Sequence, residues 1–207
     1  MHSLLAALVR LIAGVPRQEG LSCGTSPRIY FANHSSHLDF VVIWASLPAS
    51  LRARARPVAA ADYWNRGRLR RFLAERVFRA VLIAREGVDR KNNPLEQMSR
   101  VLEQGDDLIL FPEGTRSRDG TIHDFKSGLH HLARRFPSTA LVPVHLENLN
   151  RMLPKGEFLP VPMLGRVSFG DALPPWTEAE TKEAFLGRCR RAVLVAGGLK
   201  PDDTSQS

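Results

Sequence analysis

The strongest constraint on the fold is a series of short, mostly apolar runs, each closed by a polar or turn-forming segment. Residues 28–33, 56–61, 80–84 and 107–111 are of strand length and too short for a stable helix. Residues 140–146 form a further strand, which we expect Pro143 to break, and 167–169 a short additional one. Segments with helical spacing lie between them: 36–47, stopped by Pro48; the arginine-rich stretch 66–79; and Pro94 to Gln104, with Pro94 in its first turn and Gly105 past its end. Asp124 to Phe136 and Glu178 to Val195 are the remaining helices. Strands and helices alternate without internal repeats. The expected fold class is therefore α/β, with a largely parallel central sheet flanked by helices. In such sheets chemistry gathers in the loops beyond the carboxyl ends of strands. The polar segments 33–39, 85–91 and 113–118 each follow an apolar run, which predicts that they share one edge.

The first of these loops reads Asn33-His34-Ser35-Ser36-His37-Leu38-Asp39. A histidine five residues before a carboxylate is either a base with an orienting partner or a bystander beside a helix cap. On a regular helix that spacing turns about 500°, so the two side chains would diverge by about 140°. They meet only if His34 lies in the loop and Asp39 in the first helical turn. Ser35 and Ser36 suit the N-cap of that helix. His37 reads as a second base or as a capping or packing residue. His34, His37 and Asp39 lack the further neighbouring ligands that a metal site wants, so no metal is expected. The later turn Glu113-Gly114-Thr115-Arg116-Ser117 holds a flexible glycine, two hydroxyls and an arginine fork. That inventory suits either a grip on phosphate or a solvated tight turn. Gly20-Leu21-Ser22-Cys23-Gly24 matches the serine elbow pattern of hydrolases, but Pro-containing loops flank it where a strand and a helix are required.

Length, at 207 residues, fits one globular domain. Residues 1–17 are expected to form an N-terminal interfacial amphipathic helix, 18–198 the main domain, and 199–207 a disordered polar tail. In the first segment Leu4, Leu8, Leu11, Ile12 and Val15 form an apolar stripe, with Arg10 and Arg17 on one face. The pattern suits a helix in a membrane interface or one packed on the core. No stretch approaches the roughly 20 apolar residues needed to span a bilayer. A net charge of +8 and a pI near 10.3 point to a polyanionic partner: nucleic acid, anionic membrane or phosphorylated substrate. In the basic stretch, Arg66, Arg68, Arg70, Arg71, Arg76 and Arg79 alternate with Trp64, Leu69, Phe72, Leu73, Val77 and Phe78. The flanking Tyr63 and Trp64 favour the membrane interface over nucleic acid. No aromatic RNA-binding strand signature is present, and no nucleic-acid partner is expected. Cys23 and Cys189 match no metal spacing and suit free thiols in a reducing compartment.

Taken together, Asn33-His34 with Asp39, and later Phe111-Pro112-Glu113-Gly114-Thr115-Arg116-Ser117, resemble the glycerolipid acyltransferase family, which includes bacterial 1-acylglycerol-3-phosphate acyltransferases. Leu82-Ile83-Ala84-Arg85, Phe125-Lys126-Ser127-Gly128 and Leu141-Val142-Pro143-Val144 look like further family motifs in the expected order. The resemblance covers roughly residues 28–145 and gives the 18–198 segment its expected identity as an acyltransferase domain. It implies transfer of a fatty acyl group from an acyl thioester to a lysophospholipid hydroxyl, most simply 1-acyl-glycerol-3-phosphate, giving phosphatidic acid. His34 would act as general base with Asp39 orienting it. Glu113, Gly114, Thr115 and Arg116 would hold the acceptor phosphate, with Arg85 assisting and Lys126 also binding substrate. Backbone N–H groups near Gly114 would serve the oxyanion. No cofactor is implied beyond acyl-CoA or acyl-carrier protein as co-substrate. The partners are the acceptor, that donor and an anionic membrane surface, and the expected location is the cytoplasmic face of the membrane, peripheral or monotopic. Another lysophospholipid or lipid alcohol is an alternative acceptor. A non-catalytic basic membrane- or nucleic-acid-binding module leaves the His34–Asp39 and 113–117 motifs without a role. A hydrolase built on Ser22, His34 and Asp39 lacks its elbow. The segment 147–156 matches no motif and reads as a lid or acceptor loop.

Overall fold

The computed structural model describes residues 2–16, 24, 26–36, 38–64, 67–84, 93–117, 120–147 and 165–200. Its centre is β1 (Arg28–Ala32), in which all five residues are buried. Side chains alternate across a strand, so β1 feeds two cores. Tyr30 and Ala32 join Ile109, Val142 and Val144 on one face of the sheet, under α1 (His2–Ala13) and α2 (Asp39–Ser46). Ile29 and Phe31 join Leu108, Leu110 and Leu141 on the other, against α6 (Pro94–Glu103), α7 (Gly128–Arg135) and α8 (Lys182–Ala196). The remaining strands are β2 (Ala55–Ala60), β3 (Val81–Ile83), β4 (Asp107–Leu110), β5 (Ala140–Glu147) and β6 (Arg166–Phe169). They form a six-stranded sheet in the order β3-β2-β4-β1-β5-β6. All pairings are parallel except β5 with β6, so the sheet is largely parallel, with an antiparallel edge. Three short helices, α3 (Ala49–Arg54), α4 (Ala61–Trp64) and α5 (Arg68–Phe72), fill the β2 crossovers.

Local chemistry explains most boundaries. At α6 the Asn93 side chain accepts the Leu95 N–H at 3.0 Å and Pro94 occupies the first turn, where its missing N–H costs nothing. At α8 the Thr181 hydroxyl caps the Ala184 N–H at 3.2 Å. Pro143 does not break β5, contrary to expectation. Its C=O accepts the Gly170 N–H at 2.9 Å, and the N–H and C=O of a strand residue lie on the same side. The missing donor therefore faces away from β1, where the β6 pairing is already ending.

Three other expectations are corrected. Helix α7 starts at Gly128, not at residue 124, because the Lys126 N–H is given to the Pro112 C=O at 2.9 Å rather than to a helical partner. The stripe expected on the basic stretch is split. Leu69 and Phe72 are exposed, whereas Ala74 and Val77 are buried. A π-turn over Leu73–Val77 adds a residue to the helical repeat and rotates the buried face. The stripe on α1 is split as well: Leu4, Leu8 and Leu11 point outward, while Ala6, Ala13 and Val15 are buried and Leu5, Val9 and Ile12 pack against them. The expectations for Arg66, Cys23, 148–156 and the last part of the tail, 201–207, fall outside the described residues. Cys189 is a buried free thiol, and burial pushes its pKa up to about 12.

His145 on β5 has its ring flush against the chain at Gly197, where an added Cβ would lie 2.6 Å from it. Burial lowers its pKa below the ordinary 6.5, with Arg166 adding to the effect and Glu147 opposing it. The unfolded chain therefore takes up this proton first, so stability is full above about pH 6.5 and falls as pH drops towards the folded pKa. Thermal midpoints followed by circular dichroism should decline from pH 7.5 to 5.5, and His145→Phe should decline less. Equal declines would show that this imidazole is not the linked group.

Candidate active site

The carboxyl end of β1 is fixed before any reactive group appears. The Asn33 side chain acts as an additional peptide, with Oδ1 accepting the Leu146 N–H at 2.8 Å and Nδ2 donating to the Leu146 C=O at 2.9 Å. The next residue, His34, is held through its backbone and its ring. Its N–H donates to Glu113 Oε1 at 2.8 Å, and its C=O accepts the Ser117 N–H at 2.8 Å. Its ring stacks on Phe111, with centroids 4.3 Å apart. Nδ1 lies 2.8 Å from Asp39 Oδ2. A carboxylate only accepts, so Nδ1 carries the proton and Nε2 holds the lone pair.

Asp39 is the first residue of α2 and is completely buried. The geometric condition drawn from the spacing is met, with the histidine in the loop and the carboxylate in the first turn. The capping expected of Ser35 and Ser36 runs largely the other way, although the Ser36 hydroxyl accepts the Leu38 N–H at 3.3 Å. Leu38 occupies the N-cap without a side-chain cap, and Asp39 reaches back. Its Oδ2 accepts the Ser35 N–H at 2.6 Å and the Ser36 N–H at 2.8 Å. Three donors thus converge on one oxygen at the start of the helix. This reversed cap is why the helix begins at Asp39.

The second loop follows β4, which lies beside β1. Glu113 is 3% exposed and points inward. Its Oε2 accepts the His123 N–H at 3.1 Å while Oε1 holds His34. Burial raises its pKa above the usual carboxylate range, and these two N–H groups pull it partly back. Gly114 adopts φ 71°, and its N–H is taken by the Phe111 C=O at 3.1 Å. The N–H of Gly114 itself is therefore engaged in the turn. A Cβ on Gly114 would lie 2.7 Å from Lys126 Nζ, so the absent side chain is the space that Lys126 crosses. Thr115 is exposed and Arg116 partly so.

His34, Asp39, Glu113, Gly114, Thr115, Arg116 and Lys126 thus gather at one sheet edge. Arg85 and His37 fall outside the described residues. Sequence reasoning missed Asn33 as an anchor, Phe111 as the ring's platform, and His123. An amide directly after a buried strand was the available signal for Asn33. His123 acts through its backbone and carries no side-chain signal.

The family model described as Acyltransferase matches residues 14–147. The chain belongs to the acyltransferase family. It is 32% identical over 170 residues to the 1-acyl-sn-glycerol-3-phosphate acyltransferase of Limnanthes douglasii, covering 77% of this chain and 56% of that protein. The mouse 1-acyl-sn-glycerol-3-phosphate acyltransferase alpha is 29% identical over 190 residues, covering 86% of this chain and 54% of that protein. The chain thus spans little more than half the length of these relatives. Its fold is that of the crystal structure of the 1-acyl-sn-glycerophosphate acyltransferase PlsC from Thermotoga maritima. The match has a TM-score of 0.74 at 19% identity and covers 95% of this chain and 77% of that one.

Replacing Asn33 with Ala removes two buried hydrogen bonds and leaves the Leu146 N–H and C=O unpaired. The expected loss is about 2–4 kcal/mol, read as a lower urea midpoint at unchanged m-value. An unaltered midpoint would mean that water or a shifted strand replaces the amide.

Proposed function

We propose that the chain transfers a fatty acyl group from an acyl thioester to the free hydroxyl of 1-acyl-glycerol-3-phosphate, giving phosphatidic acid. The observation that carries this reading is the imidazole of His34, tied at Nδ1 to buried Asp39 and held beside the 113–117 turn. Nε2 takes the proton of the acceptor hydroxyl as its oxygen attacks the thioester carbon. The tetrahedral intermediate collapses by breaking the C–S bond, and the imidazolium returns its proton to the departing thiolate. Asp39 holds the tautomer and balances the transient positive charge. No acyl-enzyme is needed, because the acceptor alcohol is the nucleophile. Arg116 and Lys126, with the Thr115 hydroxyl, grip the phosphate, and Arg85 assists. Fixing the phosphate places the hydroxyl beside the base, and orientation of that kind supplies a large part of rate enhancement. The donor is acyl-CoA or acyl-carrier protein, consumed as co-substrate with no bound cofactor. Acceptors other than 1-acyl-glycerol-3-phosphate fit the same chemistry if they carry a phosphate and a free hydroxyl.

The acceptor is an anionic amphiphile, and the surface suits its membrane. Leu4, Leu8 and Leu11 project from α1, and Leu69 and Phe72 from the arginine-rich α5. Exposed apolar side chains beside arginines favour an anionic interface. No described helix is long and apolar enough to cross a bilayer. On the exposed apolar and basic side chains of α1 and α5, we propose peripheral or monotopic binding to an anionic membrane surface, on its cytoplasmic face.

Thiol release from an acyl thioester in the presence of lysophosphatidic acid should fall about 10²–10⁴-fold in His34→Ala, whereas Arg116→Ala should chiefly raise the KM for the acceptor. Release that is absent in the wild type, or unchanged in His34→Ala, would sink the proposal. Sedimentation with vesicles should require anionic lipid and weaken as salt is added; binding indifferent to both would argue against the membrane placement.

A further inference from the structure

We infer that Glu113 is a positioning residue for the base, not a ligand of the acceptor phosphate. Both of its carboxylate oxygens are already used, Oε1 by the His34 N–H at 2.8 Å and Oε2 by the His123 N–H at 3.1 Å. The side chain points into the protein, away from the exposed Thr115 and the partly exposed Arg116 on the same turn. A carboxylate is also the wrong charge to receive a phosphate. What it does receive is the backbone of the one residue whose ring must be aimed.

The arrangement makes the base and the acceptor turn one unit. His34 is clasped at both ends of its peptide, its N–H by Glu113 and its C=O by the Ser117 N–H at 2.8 Å. Phe111, two residues before Glu113, supplies the surface on which the ring lies. Oε2 extends the clasp to the segment leading into Lys126, whose own N–H returns to Pro112 at 2.9 Å. Arg116 and Lys126, the cations proposed to grip the phosphate, therefore flank a framework whose centre is this carboxylate. Phosphate binding and the position of Nε2 are linked through it, and a small displacement of a base from its acceptor proton is costly.

The inference rests on the acyltransfer reading for its kinetic test but has a separate spectroscopic one. In the full chain, Glu113→Gln places an amide N–H₂ against a backbone N–H, and Glu113→Asp keeps the charge but shortens the reach. With an acyl thioester and lysophosphatidic acid, kcat should fall in the order Glu, Asp, Gln, by about ten- to hundredfold for Gln. The KM for the acceptor should stay within about threefold, unlike that of Lys126→Ala. A KM rise above tenfold at retained kcat, or wild-type kinetics throughout, would overturn the inference. The imidazole nitrogen-15 resonances and titration of His34 provide a readout independent of turnover. They should shift in Glu113→Asp, the gentler change, and an unshifted His34 in that variant would overturn the positioning role. If the wild type fails to transfer acyl groups while these resonances still move, the acyltransfer reading fails and the positioning role stands.

Discussion

The parallel pairing of β1 with β4 is the contact on which the rest of the site depends. Ile29 lies opposite Leu108 and Phe31 opposite Leu110, so both strands release their chains at the same edge. Parallel neighbours cannot be joined by a tight turn and require a long crossover. That is why the two loops of the candidate site are remote in sequence and adjacent in space. One step past the pairing of Phe31 with Leu110, the register sets Phe111 beside Ala32, two residues before His34. Because both loops leave the same edge, the ring of His34 reaches Phe111 and stacks on it.

Buried carboxylates do similar work at both ends of the sheet. Asp39 and Glu113 at the carboxyl edge each accept backbone N–H groups, one tying a loop to its helix and the other tying two loops together. Asp107, at the opposite end of β4, accepts the Arg28 N–H at 3.0 Å and the Arg54 guanidinium at 2.9 Å. Burial raises the pKa of Asp107, and these partners offset part of that shift. A carboxylate with several fixed donors tolerates removal from water far better than an unpaired one. Each of these residues therefore converts an electrostatic cost into backbone geometry.

Much of this was legible in the sequence, for reasons that can be stated residue by residue. The apolar runs at 28–33 and 107–111 announced two strands, though not their pairing, and Pro94 announced the start of a helix. The five-residue spacing of His34 and Asp39 demanded a helix start between them, and one is there. The same residues hid the direction of the cap, because Ser35 and Ser36 are good capping residues, yet the Asp39 carboxylate takes their own backbone N–H groups. Glu113 read as part of a polar turn, since nothing local reveals that a carboxylate will turn inward to meet distant N–H groups. Pro143 read as a break, since only the pairing pattern shows which side of a strand needs its donor. Leu69 and Phe72 read as one apolar stripe with Leu73 and Val77, and the π-turn after them, absent from any regular periodicity, divides that stripe. Local propensity and periodicity were visible in each case, and the long-range hydrogen bonds were not.

The amide of Asn33 has a consequence for how the molecule comes into being. It binds Leu146, 113 residues further along the chain, and so couples the first strand to the fifth. Contacts of such separation are slow to form because the loop entropy must be overcome before they contribute. A chain still emerging during synthesis can pair none of β1 with β5 until the latter has been made. The imidazole beside Asn33 is therefore set in place late, after the sheet is nearly complete, and shorter fragments ending before β5 would hold a histidine and an aspartate without the frame that aims them.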